Sequence, residues 1–186
     1  MTRWALIVGG RGAGKTAMTA RVVELLEAGG LTVGGVVQRA LEDGGERTGY
    51  VACRVGGAES RLLAWKGRPP GGADAPFDFC SFTFDGGAFE SARSWVRAAS
   101  VGADVVVIDE ISKLETGGGG HHDAIREALG GRALVLLSVR ADELFRVMER
   151  FGLAEPVAYL ELGGASDLES FVARLSRAVA AAADGS

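Results

Sequence analysis

Short uninterrupted apolar runs alternate along this chain with stretches in which apolar positions recur every three or four residues. Residues 4–8 (WALIV) are such a run, and an unbroken run of that length predicts a central parallel strand covered on both faces. Residues 15–28 follow with Met18, Val22, Val23, Leu25 and Leu26 at helical spacing, stopped by Gly29-Gly30. The pattern then changes. LTVGGVVQR, TGYVACRV and ESRLLAW are strand-length segments divided by the turn-rich EDGGER and GGA, which predicts hairpins and an antiparallel insert that extends the sheet. Residues 66–76 (KGRPPGGADAP) predict a loop, DFCSFTF an alternating strand, and AFESARSWVRAAS a helix with Phe89, Ala92, Trp95, Val96 and Ala99 on one face.

The second half returns to strand and helix in turn. Residues 103–110 (ADVVVIDE) predict a buried strand with an acidic tip, TGGGG a flexible break, and HHDAIREAL a helix. RALVLLSV is a third buried strand, ADELFRVMERFG a helix closed by Gly152, and VAYLEL a last strand. SDLESFVARLSRAVAAA closes as a helix, with Ser166 and Glu169 in capping-box spacing. Alternation of this kind predicts an α/β fold: three layers, α/β/α, around a mostly parallel sheet with right-handed crossovers, plus the antiparallel hairpin strands. No repeat or linker divides the chain, so residues 1–186 are expected to form a single domain.

The chemistry sits where the first strand gives way to the first helix. Gly9-Gly10-Arg11-Gly12-Ala13-Gly14-Lys15-Thr16 has the spacing G-x-x-x-x-G-K-T of a phosphate-binding loop, and the surrounding strand and helix are the context that motif requires. Small residues let successive backbone N–H groups turn inward on phosphate oxygens, and the helix adds the positive end of its dipole. The expected nucleotide cradle is Gly9, Gly10, Arg11, Gly12, Ala13, Gly14, Lys15, Thr16 and Ala17. Lys15 would reach the β and γ phosphates, and the Thr16 hydroxyl would serve a Mg2+ ion bridging them. Glycine is common here, but lysine occurs only at positions 15, 66 and 113. A shuffled copy of the chain would show the pattern on the order of one time in a hundred.

In open parallel sheets ligands gather at the carboxyl ends of strands, so Asp109-Glu110, ending VVVI, belongs beside that loop. Asp109 is the expected second metal residue. Glu110 is the candidate to orient and deprotonate the attacking water. An aspartate followed by a glutamate also resembles the phosphate-loop proteins of RecA-like type, which insert an extra strand between the loop strand and the acidic strand; that resemblance implies hydrolysis. A net charge of −4 argues against a nucleic acid held on a broad basic surface. No apolar run reaches 18 residues and the start lacks a signal-peptide layout, so a cytoplasmic address without a membrane is expected. Cys53 and Cys80 lack metal or redox spacing and are expected as buried strand thiols.

These segments together resemble the thermophile nucleoside-triphosphatase family over roughly residues 3–161. The matching stretches are the phosphate loop, VGGVVQR against V-G-G-F and a polar strand end, GERTGYVACRV against G-x-R-x-G-F, and VIDEISKLE against V-I-D-E-I-G-K-M-E. The resemblance implies slow, base-unselective hydrolysis of nucleoside triphosphates with magnesium by a monomer. It implies phosphate and metal binding by Gly9, Gly14, Lys15 and Thr16, a metal role for Asp109 and a base role for Glu110; Arg47, Lys113 and Glu115 fall on further motif positions. The loop lacks the family's proline and carries Arg11, the late asparagine-arginine pair is absent, and His121-His122 follow a glycine run.

Lesser features are open to two uses. His121 and His122 are expected at a solvated helix start, since neighbours on a helix diverge and no cluster completes a metal set. Arg140 stands where it could sense a γ phosphate or simply face solvent, and Trp65 could stack on a base or pack in the core, while Trp4 and Trp95 fit the core. Lys15 and Lys113 would offset the acidic charge of Asp109, Glu110 and Glu115. Two rival functions share the same loop: phosphoryl transfer to a small acceptor held by the hairpin insert and residues 66–76, and a nucleotide-gated module for an unidentified protein partner, with residues 117–120 ordering on binding.

Overall fold

The computed structural model describes residues 3–67, 71–164 and 167–183. One nine-stranded sheet carries every strand among them, in the order β5-β6-β4-β3-β2-β7-β8-β1-β9. The strands are β1 (Trp4–Gly9), β2 (Val33–Asp43), β3 (Glu46–Val55), β4 (Ser60–Trp65), β5 (Pro76–Phe79), β6 (Phe82–Asp85), β7 (Val105–Ile111), β8 (Leu134–Arg140) and β9 (Ala158–Glu161). The helices are α1 (Lys15–Ala28), α2 (Gly86–Gly102), α3 (Lys113–Thr116), α4 (His122–Leu129), α5 (Leu144–Phe151) and α6 (Leu168–Ala183).

Alternation along the strands builds two cores, one on each face. Trp4, Leu6 and Val8 of β1 face α2, α4 and α5 through Phe89, Trp95, Ile125 and Val147. Ala5 and Ile7 of the same strand face α1 and α6 through Val22, Leu26, Phe171 and Leu175. Burial on both sides explains why β1, β7 and β8 are uninterrupted apolar runs. The three expected layers are present.

The sheet is half parallel rather than mostly parallel. β1 pairs with β8 and β9, and β7 with β8 and β2, all in parallel. β2–β3, β3–β4, β4–β6 and β5–β6 are antiparallel. The hairpins therefore carry the sheet four strands beyond β2 instead of decorating it. β2 can join the two halves because it lies unusually close to β7: Gly35 has φ 127°, and a Cβ there would collide with the Val107 carbonyl. Between β1 and β7 lies β8, which is the expected extra strand.

Other expectations change in detail. DFCSFTF is not one strand but most of a hairpin, because Cys80 takes φ 54° and Cys80-Ser81 form a two-residue turn that brings Phe79 opposite Phe82. Cys53 is buried in β3 as expected, whereas that turn leaves Cys80 exposed. TGGGG is no loose break. Gly117, Gly118 and Gly119 donate to Lys113, Glu115 and Leu114 carbonyls, and His122 N donates to Gly119 O. Ser166, expected to cap α6, lies outside the described residues; Asp167 Oδ2 accepts from Ser170 N at 2.9 Å. Residues 68–70 of the expected loop also lie outside them. Arg3, Trp4 and β9 tie the remaining edge: Trp4 Nε1 donates to Ala154 O and Val157 N to Trp4 O. Trp4, Trp65 and Trp95 are all core residues.

Candidate functional site

The carboxyl ends of β1, β8 and β7 stand side by side, Gly9 opposite Arg140 and Ile108 opposite Leu137. Parallel packing thus brings segments a hundred residues apart to one edge. After Gly9 the chain turns with Ala13 N donating to Gly10 O, and α1 begins behind Gly14, whose φ of 87° only glycine adopts without strain. Gly10, Arg11, Gly12, Ala13 and Gly14 face solvent, as does Ala17 in the first turn. Backbone N–H groups at this helix start have no side-chain cap, so they remain available to an anion.

Lys15 is 3% exposed and its ammonium bends back over the loop. Nζ donates to Gly9 O at 3.1 Å and Gly10 O at 2.8 Å and lies 3.4 Å from Glu110 Oε1. Thr16 Oγ1 donates to Asp109 Oδ2 at 2.7 Å. The Gln38 amide N–H reaches the same oxygen at 3.4 Å, and its side-chain Nε2 reaches Glu110 O at 3.5 Å. So the structure brings Gly9, Lys15, Thr16, Asp109 and Glu110 into one constellation. The Asp109–Glu110 peptide is cis, and the β7–β8 register shifts between Ile108 and Ile111.

Asp109 is fully buried, and burial pushes its carboxyl up to about 6 against the opposing pull of the Ser138 and Thr16 hydroxyls. Thr16 is the firmer counterweight, since Ser138 Oγ lies outside hydrogen-bonding geometry. Asp109 Oδ1 is also buried without a partner among the described residues. An orphaned buried carboxylate oxygen beside a threonine hydroxyl is a hard-oxygen donor set, and it fits a small divalent cation such as Mg2+.

The remaining predicted residues divide. Arg11, Arg47 and Arg140 line one cavity with Glu110 and Gln38. Arg140 is engaged by Asp142 at 2.6 Å, and Arg47 by Tyr50 Oη at 3.3 Å. Lys113 is not part of this group: it is exposed among Thr116, Arg146 and Arg150 and does not offset the acidic pair. Glu115 is buried and serves the backbone, accepting from Ser112 N at 2.9 Å and His121 N at 3.3 Å; burial pushes its carboxyl up to about 7. His121 and His122 are buried, not solvated. His121 packs edge-on to Phe89 at 5.0 Å, and burial pushes its ring down to about 4; His122 Nδ1 meets Glu115 O at 3.0 Å. Glycine explains this, since Gly120 lets the chain pass so close to Glu115 that a Cβ there would overlap it.

Gln38, Ser138 and Tyr50 were missed as site residues. Gln38 and Ser138 carry a faint sequence signal, as the polar interruptions near the ends of the apolar runs VGGVV and ALVLL. Tyr50 and the phenylalanines of β5 and β6 carry none, because only the hairpin's place in the sheet brings them here.

Known proteins are similar to this chain. The chain is 31% identical to the nucleoside-triphosphatase THEP1 of Methanopyrus kandleri over 66% of its own length and 65% of that protein's, just under two thirds. It is 27% identical to the protein of that name from Methanothermobacter thermautotrophicus over 78% and 80% of the two chains. For that from Ignicoccus hospitalis the figures are 31%, 79% and 84%. Its fold matches the solution structure of a human cancer-related nucleoside triphosphatase with a TM-score of 0.64 and 21% identity, covering 96% of each chain. A family model described as NTPase matches residues 5–163, a span that runs from β1 past β9 and includes the phosphate loop and the acidic tip, and the chain therefore belongs to the NTPase family.

Proposed function

We propose that this chain hydrolyses nucleoside triphosphates to diphosphate and phosphate with Mg2+, acting in the cytoplasm as a monomeric single domain. The observation that carries the proposal is the meeting of Lys15, Thr16, Asp109 and Glu110 at the strand tips. Relatives named nucleoside-triphosphatase support the same reaction.

The loop amides from Gly9 to Thr16 bind the triphosphate oxygens, and Lys15 moves from the Gly9 and Gly10 carbonyls onto the terminal phosphates. Thr16 and Asp109 would hold Mg2+, which supplies neutralisation of the β and γ oxygens when bound. Glu110 is released by the same movement. Its carboxylate, paired with Lys15 at 3.4 Å, loses that partner to phosphate and becomes free to take a proton from water beside the γ phosphate. Gln38 holds the Asp109 carboxylate with its backbone N–H and the Glu110 carbonyl with its side-chain amide. No observation favours phosphoryl transfer, and the hydrogen-bonded turns at 117–119 remove the basis for a segment that orders on binding.

Phosphate release measured across ATP, GTP, CTP and UTP, with and without Mg2+, tests the activity. Lys15→Ala is expected to lose nucleotide binding, and Glu110→Gln to keep it without turnover. Wild-type hydrolysis by the Glu110→Gln protein would show the base to be wrongly assigned.

A further inference from the structure

Beside Glu110 lies a cavity of about 160 Å3 whose far wall is aromatic. Phe79 and Phe84 of the β5–β6 hairpin, Tyr50 of β3 and Phe89 of α2 line it. The rings form a continuous stack: Phe84 lies 5.9 Å from Phe89 at 23° and 5.7 Å from Phe77 at 17°, and Phe79 meets Phe84 edge-on at 6.4 Å. Phe79, Phe84 and Tyr50 remain half-buried, so ring surface facing the cavity is left for a ligand to cover.

The near wall supplies a cation. Arg47 lines the cavity, lies 5.5 Å over the Tyr50 ring, and bonds only weakly, to Tyr50 Oη at 3.3 Å and the exposed Glu42 at 3.5 Å. Its Nε is buried without a hydrogen-bond partner among the described residues. The side chain as a whole is 28% exposed, so its outer N–H groups can turn to an anion in the cavity. Glu110 and Glu115 also line the cavity, but Arg11, Arg47 and Arg140 do too, so its charged lining is three arginines against two carboxylates. Size limits the occupant. A cavity of roughly 150 Å3 admits a benzene ring, so a single ring with a small substituent fills this one.

We propose that this cavity binds a small aromatic carboxylate, with its ring against Phe79, Phe84 and Phe89 and its carboxylate on Arg47, while nucleotide occupies the phosphate loop. Arg11 and Gly12 of the loop and Glu110 border the same cavity, so the aromatic carboxylate would sit next to the triphosphate while being held by Phe79, Phe84, Phe89 and Arg47, which have no part in the proposed hydrolysis.

Benzoate is the probe, titrated into the intact protein by calorimetry and by NMR of its ring protons. Saturable binding at millimolar concentration or tighter is expected, weaker by about tenfold for benzamide, which lacks the charge, and for cyclohexanecarboxylate, which lacks the planar ring. Arg47→Gln should weaken benzoate by about tenfold and leave benzamide unaffected. Phe84→Leu should cost benzoate more than cyclohexanecarboxylate. Binding should survive both a nonhydrolysable ATP analogue and the Lys15→Ala substitution, which separates this site from the phosphate loop. Absence of saturable binding by the wild-type protein up to the solubility of benzoate, equal affinity for all three probes, or mutual exclusion with the ATP analogue would each overturn the proposal.

Discussion

Lys15 and Glu110 are paired at 3.4 Å, and that pairing sets what single substitutions should do. Glu110→Gln preserves shape and most hydrogen bonding but removes the carboxylate proposed as the proton acceptor, so kcat should fall by about a hundredfold or more while nucleotide affinity changes little. Phosphate release and equilibrium binding on the same preparation check both halves. Thr16 offers a second contrast. Thr16→Ser keeps the hydroxyl that lies 2.7 Å from Asp109 and should retain Mg2+-dependent hydrolysis, whereas Thr16→Ala should lose most of it; a titration of activity against Mg2+ distinguishes them. These residues were legible in the sequence because a phosphate cradle demands its side chains at fixed local spacing. Gln38 and Ser138 were not, since a single polar residue at a strand end has no spacing to recognise.

The segment from α3 to α4 shows how an element can carry titration unrelated to catalysis. The buried Glu115 is raised from 4.5 to about 7, so the folded state holds a proton that the unfolded chain has lost. Its contribution to stability is present below about 4.5 and disappears as pH rises towards 7. The buried His121 is lowered from 6.5 to about 4, so the unfolded chain takes the proton first and its contribution disappears as pH falls from 6.5 towards 4. Urea unfolding at pH 5 and pH 8 should separate them: relative to wild type, Glu115→Gln loses ground on acidification and His121→Phe gains it. Coincident shifts in the two variants would contradict both assignments. Sequence placed the helix at HHDAIREAL correctly but left its first residues in solvent, because what buries His121 is Phe89 from α2, thirty-two residues away.

Across the whole molecule, a ligand that binds only the folded chain must raise its stability. Nucleotide with Mg2+ at about a hundred times its dissociation constant should add about 2.7 kcal/mol, a rise of roughly 5–10 °C in Tm for a chain of this size. Thermal melts should show that rise in wild type and in Glu110→Gln, and none in Lys15→Ala. The sheet's own integrity rests on its centre: Leu137 of β8 is fully buried between β7 and β1, and Leu137→Ala should cost about 2–5 kcal/mol in chemical unfolding.

The sequence alone determined what depends on neighbours in the chain. The phosphate loop, the acidic strand tip, the α1 boundaries at Lys15 and Ala28, and the hairpins divided by EDGGER and GGA all follow from periodicity and local backbone chemistry. Tertiary structure decided everything that depends on residues meeting from afar. It made the sheet half antiparallel, folded DFCSFTF at Cys80, buried Glu115 and both histidines, turned Lys113 away from the acidic pair and set aromatic rings beside Glu110. The reason is physical: a local pattern specifies which face of an element is apolar, but the neighbour that covers that face is chosen only when the strands take their order.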